Sequence, residues 1–322
     1  GEIRAFLERC PIQVGLAATT QIFYIEVLAF GGDGSNSEVA ISGFHTNVIR
    51  KRRNGQLLLQ REEAAERESP CDEKSLLSIE GALEFADTVE LDDVRALVQR
   101  QIDYNYAIAQ EGLRGNYGAN IGSVLLKHDG DDVKVRAKAY AAAGSDARMN
   151  GCELPVVIVS GSGNQGITSS VPVVVYAKEL GVSEEKMLRA VVLSDLITIH
   201  QKSGIGRLSA YCGAISAGCG AGAGIAYLYG GGYEEIAHTV VNALAVVSGV
   251  VCDGAKASCA AKIAAAVDAG ILGYWMYREG NQFFGGDGIV SKGVENTIRN
   301  VGRLAREGMK ETDKEIIKIM LE

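Results

Sequence analysis

Proline is scarce in this chain of 322 residues, with 4 copies beside a single Trp, and aromatic residues make up only 6%. The 40 glycines follow no G-X-Y period, so they are not collagen-like. They imply close helix packing or backbone that approaches a ligand. There is no basic excess: 32 basic against 40 acidic residues leave a formal net charge of −8, and no nucleic-acid-binding surface is expected. The densest basic stretch, Arg50-Lys51-Arg52-Arg53, precedes the hairpin-turn signal Asn54-Gly55 and reads as a solvated strand end. No signal peptide is visible, and seven cysteines, an odd number, are spread through a chain too large to need disulfide staples. A reduced, cytoplasmic setting is the expectation.

The remaining composition, 47% hydrophobic and 22% charged, excludes disorder and suits about two folded domains. Leu208 to Tyr233 carries no charged residue and is long enough to span a bilayer. It is built from Gly, Ala, Ser, Cys and Tyr rather than Leu, Ile and Phe. It therefore reads as a buried, closely packed helix pair, with no membrane partner.

The first 60 residues read as strands: Gln21–Leu28, Val39–Ser42, Val48–Arg50 and Leu57–Leu59, separated by Gly31-Gly32-Asp33-Gly34 and Asn54-Gly55. A charged linker follows over 61–74. Leu91, Val94, Leu97, Val98, Ile102 and Tyr106 recur at helical spacing. Ser183 before Glu184-Glu185 is an N-cap signal for a helix through Leu196, and Glu234–Val251 and Val294–Leu304 read as further helices. The expected fold class is α+β. A small antiparallel β-rich unit over 1–74 precedes a large, mostly α-helical, Gly/Ala-rich catalytic domain over 75–322.

Gly161, Gly163 and Gly166 satisfy G-x-G-x-x-G after the apolar run 155–159, the pattern of a dinucleotide-binding turn. Confirmation requires a second strand ending in an acid, and the candidates Glu184 and Glu185 sit at a helix start instead. A nicotinamide-dependent dehydrogenase therefore stands only as an alternative. The loop also suits an anion such as a substrate carboxylate, with Ser162, Asn164 and Gln165 adding side-chain hydrogen bonds, or a tight turn that merely permits packing.

Cys212 and Cys219, like Cys252 and Cys259, lie seven apart, and the two pairs start 40 apart. This is neither C-x₂-C zinc spacing nor a C-x-x-C redox pair. A bulky site drawing thiolates from separate segments, such as an iron–sulphur cluster, remains open, as do buried structural thiols. Cys10, Cys71 and Cys152 have no partner at suggestive spacing.

With Lys202-Ser203-Gly204-Ile205-Gly206-Arg207-Leu208-Ser209-Ala210-Tyr211-Cys212-Gly213 and Cys252-Asp253-Gly254-Ala255-Lys256-Ala257-Ser258-Cys259, the chain resembles the L-cysteine desulfidase family, related to the alpha chain of iron–sulphur L-serine dehydratase. Ser145-Asp146-Ala147-Arg148-Met149, the 161–166 loop and His45-Thr46-Asn47 carry the likeness across essentially the whole chain. The resemblance implies a 4Fe-4S cluster on Cys212, Cys252 and Cys259, with its fourth iron open to substrate and Cys219 a spare. It implies α,β-elimination on a small L-amino acid: L-cysteine to pyruvate, ammonia and sulphide, or L-serine to pyruvate and ammonia. Ser162, Asn164 and Gln165 would fix the carboxylate, His45 would orient substrate, and Lys202, Arg207, Lys256 and His200 are further candidates. The base is unassigned. The family's Gly-Cys-Thr-Glu-Pro segment, which carries a cysteine near the substrate, has no counterpart in these residues. A homodimer is expected by likeness, a non-catalytic relative is the alternative, and nothing argues for pyridoxal phosphate.

Overall fold

The N-terminal segment is not all strand. Glu2–Arg9 forms helix α1, with charged residues and Ala, Phe and Leu in place of β-branched alternation. The strands follow, β1 Tyr24–Phe30, β2 Asn36–Ser42, β3 Val48–Arg53 and β4 Gln56–Gln60. They form one antiparallel sheet in the order β1-β2-β3-β4. Asn54 and Gly55 both take positive φ, 48° and 80°, which makes the two-residue β3–β4 turn. The basic run is not simply solvated: Arg50 is half-buried, pairing with Glu26 at 2.9 Å and with Glu38, which Arg52 also approaches. Cross-strand charge pairing thus absorbs the densest basic stretch.

The computed structural model describes residues 2–21, 23–43, 46–61, 73–206 and 208–322. His45, Cys71, Arg207 and most of the charged linker lie outside them. Two compact units are formed, one from residues 1–72 with 312–322 and one from 73–311.

Among the described residues of the second unit the regular elements are all helices. Its helices are α2 Ile79–Thr88, α3 Leu91–Arg114, α4 Ile121–Asp129, α5 Val133–Met149 and α6 Gly163–Leu180. Then come α7 Glu184–Ile205, α8 Gly213–Leu228, α9 Tyr233–Val247, α10 Cys259–Arg278 and α11 Val294–Arg303. A π turn, Leu304–Gly308, closes this unit, and α12 Lys310–Leu321 belongs for the most part to the first. Side-chain oxygens cap several N-termini: Ser183 accepts from Lys186 N on α7, and Asp132 accepts from Val135 N on α5. Helix α9 stops at Val247 rather than at Val251, because Ser248-Gly249 breaks it and Val250–Cys252 runs extended.

Helix α8 lies at the centre, buried over nearly its whole length. Its glycines explain the composition. A Cβ on Gly218 would sit 2.4 Å from the Ala266 carbonyl of α10, one on Gly222 2.6 Å from that of Gly270, and one on Gly220 2.4 Å from that of Ser194 on α7. The charge-free stretch is therefore one core helix that neighbours approach at backbone distance. Helix α10 has the length and composition to cross a membrane, yet 56% of its most apolar window is buried within the protein.

The run before the Gly-rich loop is not a strand; Val159 only bridges to Ser162. Helices α6 and α7 follow with no strand between them. The β-α-β unit that the dehydrogenase alternative requires is absent from this part of the fold.

One half-buried carboxylate in this unit gives a pH signature. Gln101 Nε2 and Ser169 Oγ both donate to Asp195 Oδ1, at 3.0 and 2.7 Å, between α3, α6 and α7. Burial pushes its pKa up to about 6, against the two hydrogen bonds that favour the anion. The folded state then binds more protons than the unfolded chain between pH 3.8 and about 6. Stability should fall as pH rises through that window, by about 3 kcal/mol for a shift of about two units. Asp195→Asn is expected to flatten this slope, which thermal unfolding of both proteins at pH 4.5 and 7.5 will show.

Candidate active site

Two short extended segments bring distant cysteines together. Tyr211 and Val251 form an isolated antiparallel bridge, with Cys212 N donating to Val250 O at 3.1 Å and Cys252 N to Ala210 O at 2.6 Å. This register places Cys212 and Cys252 diagonally on one face of the pair, a separation of roughly 7–8 Å. That is wide for a disulfide. Ser209 fixes the bridge, its Oγ accepting from Tyr211 N and donating to Ala305 O. Tyr211 is buried, with its hydroxyl against Ser248 Oγ.

Cys212 is the N-cap of α8 and Cys259 the first residue of α10. The turn between Cys252 and Cys259 is closed by an ion pair from Asp253 to Lys262 and by the Cys259 thiol against Gly254 O at 3.5 Å. Cys212 is 7% exposed. Burial pushes its thiol up to about 11, and the neighbouring Cys252 and Cys259 add to the rise while Lys262 opposes it. Helices α8 and α10 pack in parallel, so their starts, with Cys212 and Cys259, lie at one end beside the bridge that carries Cys252. Cys219 is different. It lies two turns into α8, fully buried, with its thiol pushed up to about 12 by burial. It is a core thiol.

Cations surround the three cysteines. Lys202, in the last turn of α7, is half-buried beside Cys252 and Cys212, and burial lowers its pKa against the pull of both thiols. Arg148, in the last turn of α5, is likewise lowered by burial and raised by Cys259. Lys262 is neutralised by Asp253, but no carboxylate pairs with Lys202 or Arg148 among the described residues. Lys256 is exposed on the turn.

The Gly-rich loop abuts this cluster, and its glycines each have a local cause. Gly161 has φ +87°; Gly163 leaves room for Arg148, whose Nε would be 2.4 Å from a Cβ; Gly166 lets α6 approach Val157 O, 2.0 Å from a Cβ. Asn105 clamps Val157 from α3, donating to its carbonyl at 3.1 Å and accepting from its N–H at 2.9 Å. The side chains expected to bind substrate are largely engaged in holding the loop. Ser162 caps α6 by accepting from Gln165 N, and buried Gln165 donates to Gly213 O at 3.0 Å, tying α6 to the start of α8. Asn164 Oδ1 accepts from Arg148 Nη1 at 3.2 Å. The N-termini of α6, α8 and α10 therefore gather at the thiols, each with its positive dipole end toward them.

His200 stands apart from this group. It pairs with Glu295 at 2.7 Å, and the same carboxylate accepts from Ile79 N at the start of α2. Although burial raises Glu295, His200 and the Ile79 amide hold it below the usual carboxylate range. Sequence reasoning missed Arg148, Lys262 and Asp253. Asp146, in the same motif as Arg148, is spent on structure, accepting from Ile121 N at 2.7 Å to hold the start of α4.

The serine dehydratase alpha chain family model matches residues 46–318. The chain belongs to that family. Its relatives include a UPF0597 protein of Desulfitobacterium hafniense strain Y51, 60% identical over 320 residues, which cover 99% of this chain and 74% of the relative. A UPF0597 protein of Lachnoclostridium phytofermentans is 54% identical over 309 residues, 96% of this chain and 74% of the relative. One of Treponema denticola is 46% identical over 283 residues, 86% of this chain and 66% of the relative. The chain thus spans about three quarters of the length of the first two relatives.

Among the described residues no three His, Cys, Asp or Glu side chains gather as on a single metal ion. Ligands of a cubane each hold a different iron and need not do so. Three thiols from two segments, partly buried among cations and helix N-termini, suit an anionic iron–sulphur cluster in donor type and in field.

Proposed function

We propose that this member of the serine dehydratase alpha chain family is a lyase carrying out α,β-elimination on a small L-amino acid with a hydroxyl or thiol at Cβ. L-serine and L-cysteine are the two substrates that fit. The observation that supports this most is the gathering of Cys212, Cys252 and Cys259 by the Tyr211–Val251 bridge and the starts of α8 and α10. These three thiolates would hold a 4Fe-4S cluster, which when bound supplies Lewis acidity toward the carboxylate and the leaving group.

The chain's own residues do the rest. Gln165 and Asn105 hold the Gly-rich loop against α8 and α3, so the first turn of α6 presents its amides to an anion. Lys202 puts a positive charge beside Cys212 and Cys252, against the burial that pushes the Cys212 thiol up. The buried walls of α6, α7 and α8 exclude water. No base for the α-proton is assigned.

The test is anaerobic reconstitution with iron and sulphide, followed by assay of pyruvate and ammonia from L-serine and of sulphide from L-cysteine. Pyruvate from either amino acid is expected. A cluster-loaded chain that converts neither would favour the non-catalytic alternative.

A further inference from the structure

Arg148 poses a problem that the cluster ligands do not solve. Its guanidinium is half-buried at the end of α5, and among the described residues no carboxylate neutralises it. Asp146, two residues away, is turned to the start of α4, and Asp253 is taken by Lys262. A guanidinium withdrawn from water without a counter-charge is costly, so an anion from elsewhere must complete the site. The fold keeps the guanidinium in place: Asn164 Oδ1 accepts from Nη1 at 3.2 Å, and Gly163 has no Cβ to push Nε away.

We propose that Arg148 binds the α-carboxylate of the amino-acid substrate at the first turn of α6, with Asn164 as its positioning residue. This rests on the elimination reading above and moves the carboxylate contact from the loop side chains to the arginine they orient. The argument is chemical. An arginine fork has five N–H donors and matches a carboxylate with two parallel hydrogen bonds, whereas Lys202 offers only a point charge. Arg148 Nη1 donates to Asn164 Oδ1 and to Met149 Sδ at 3.9 Å, which leaves Nη2 and Nε for a ligand. Arg148 also lies beside Cys259, so the carboxylate would be held next to a cluster ligand.

The same guanidinium could be meant only for the negative charge of the loaded thiolates, and the experiment separates the two anions. Wild type, Arg148→Gln and Arg148→Lys are reconstituted. Iron per chain is measured, together with KM and kcat for L-serine and L-cysteine. The calorimetric Kd is measured for L-alanine, which lacks a leaving group, and for L-alaninol, which lacks the carboxylate. In Arg148→Gln the L-alanine Kd and the KM are expected to rise about 10- to 100-fold, the loss of a charged hydrogen-bonded pair, with iron content unchanged. Arg148→Lys should recover part of the loss. Wild type should prefer L-alanine to L-alaninol by a similar factor, and Arg148→Gln should not. Iron lost in step with activity, or an unchanged L-alanine Kd, would overturn the proposal. If Arg148→Gln does not fold, Gly163→Ala displaces the guanidinium instead, and an unchanged Kd there overturns it equally. A wild type that turns over neither amino acid yet binds L-alanine through Arg148 would sink the elimination reading and leave the carboxylate site standing.

Discussion

Replacing Cys252 by alanine is expected to bring the iron of the reconstituted chain to background and to abolish pyruvate formation, with little loss of fold. The reasoning follows from where the thiol sits. Cys252 is half-buried in an extended segment at the edge of the core and forms no part of a packed helix, so its truncation costs little packing. A cluster with one of its three protein ligands removed keeps too few bonds to persist. The same change at Cys219 should do the reverse. That thiol is fully buried in α8. Cys219→Ala should therefore cost about 1 kcal/mol in stability while iron content stays at the wild-type level. Iron analysis and thermal unfolding of the two variants side by side check both halves. Iron retained by Cys252→Ala would remove this residue from the ligand set.

Gly270→Val should damage the helical unit severely. A Cβ at Gly270 would lie 2.2 Å from Gly218 O and 3.2 Å from Gly222 N, so even the first added carbon collides with the backbone of α8. Backbone cannot rotate away as a side chain can, and α8 and α10 must separate. A cost of about 3 kcal/mol or more is expected, a fall in Tm of about 10 °C for a unit of this size. Because Cys212 and Cys259 stand at the starts of these two helices, iron loading should fall with it. Gly249→Ala is the control. Nothing lies within 4 Å of its Cβ, and it should change stability by no more than a few tenths of a kcal/mol.

Much of the fold was legible because its signals are local. The β-branched runs and Asn54-Gly55 specify β1 to β4, and Ser183 before two glutamates specifies the start of α7. The helix α1 leaves no such signal, since a two-turn helix carries few periodic positions. Helix α9 ends four residues before its apolar pattern does, because Val250 and Val251 continue that pattern and only pairing with Ala210–Cys212 shows that they are extended.

The site divides in the same way. The sevenfold spacing of the cysteines was visible, but a two-residue bridge is too short to leave a sequence pattern, and it is what brings Cys212 and Cys252 together. The three glycines of the loop mimicked a dinucleotide fingerprint. Their causes are a positive φ, room for Arg148 and an approach to Val157, and two of those depend on residues distant in sequence or across a turn. Arg148 could not be singled out from sequence, because its importance lies in a missing counter-charge, which only the packed structure reveals.

The central claim, that Cys212, Cys252 and Cys259 hold a cluster at which substrate binds, is tested most directly by spectroscopy on the wild-type chain. The chain is reconstituted anaerobically, its iron and acid-labile sulphide are counted, and the electron paramagnetic resonance spectrum of the reduced protein is recorded before and after L-serine. About four irons and four sulphides per chain are expected, with a spectrum that shifts on addition of L-serine. A folded, colourless chain without iron, or a cluster whose spectrum ignores both L-serine and L-cysteine, would contradict it.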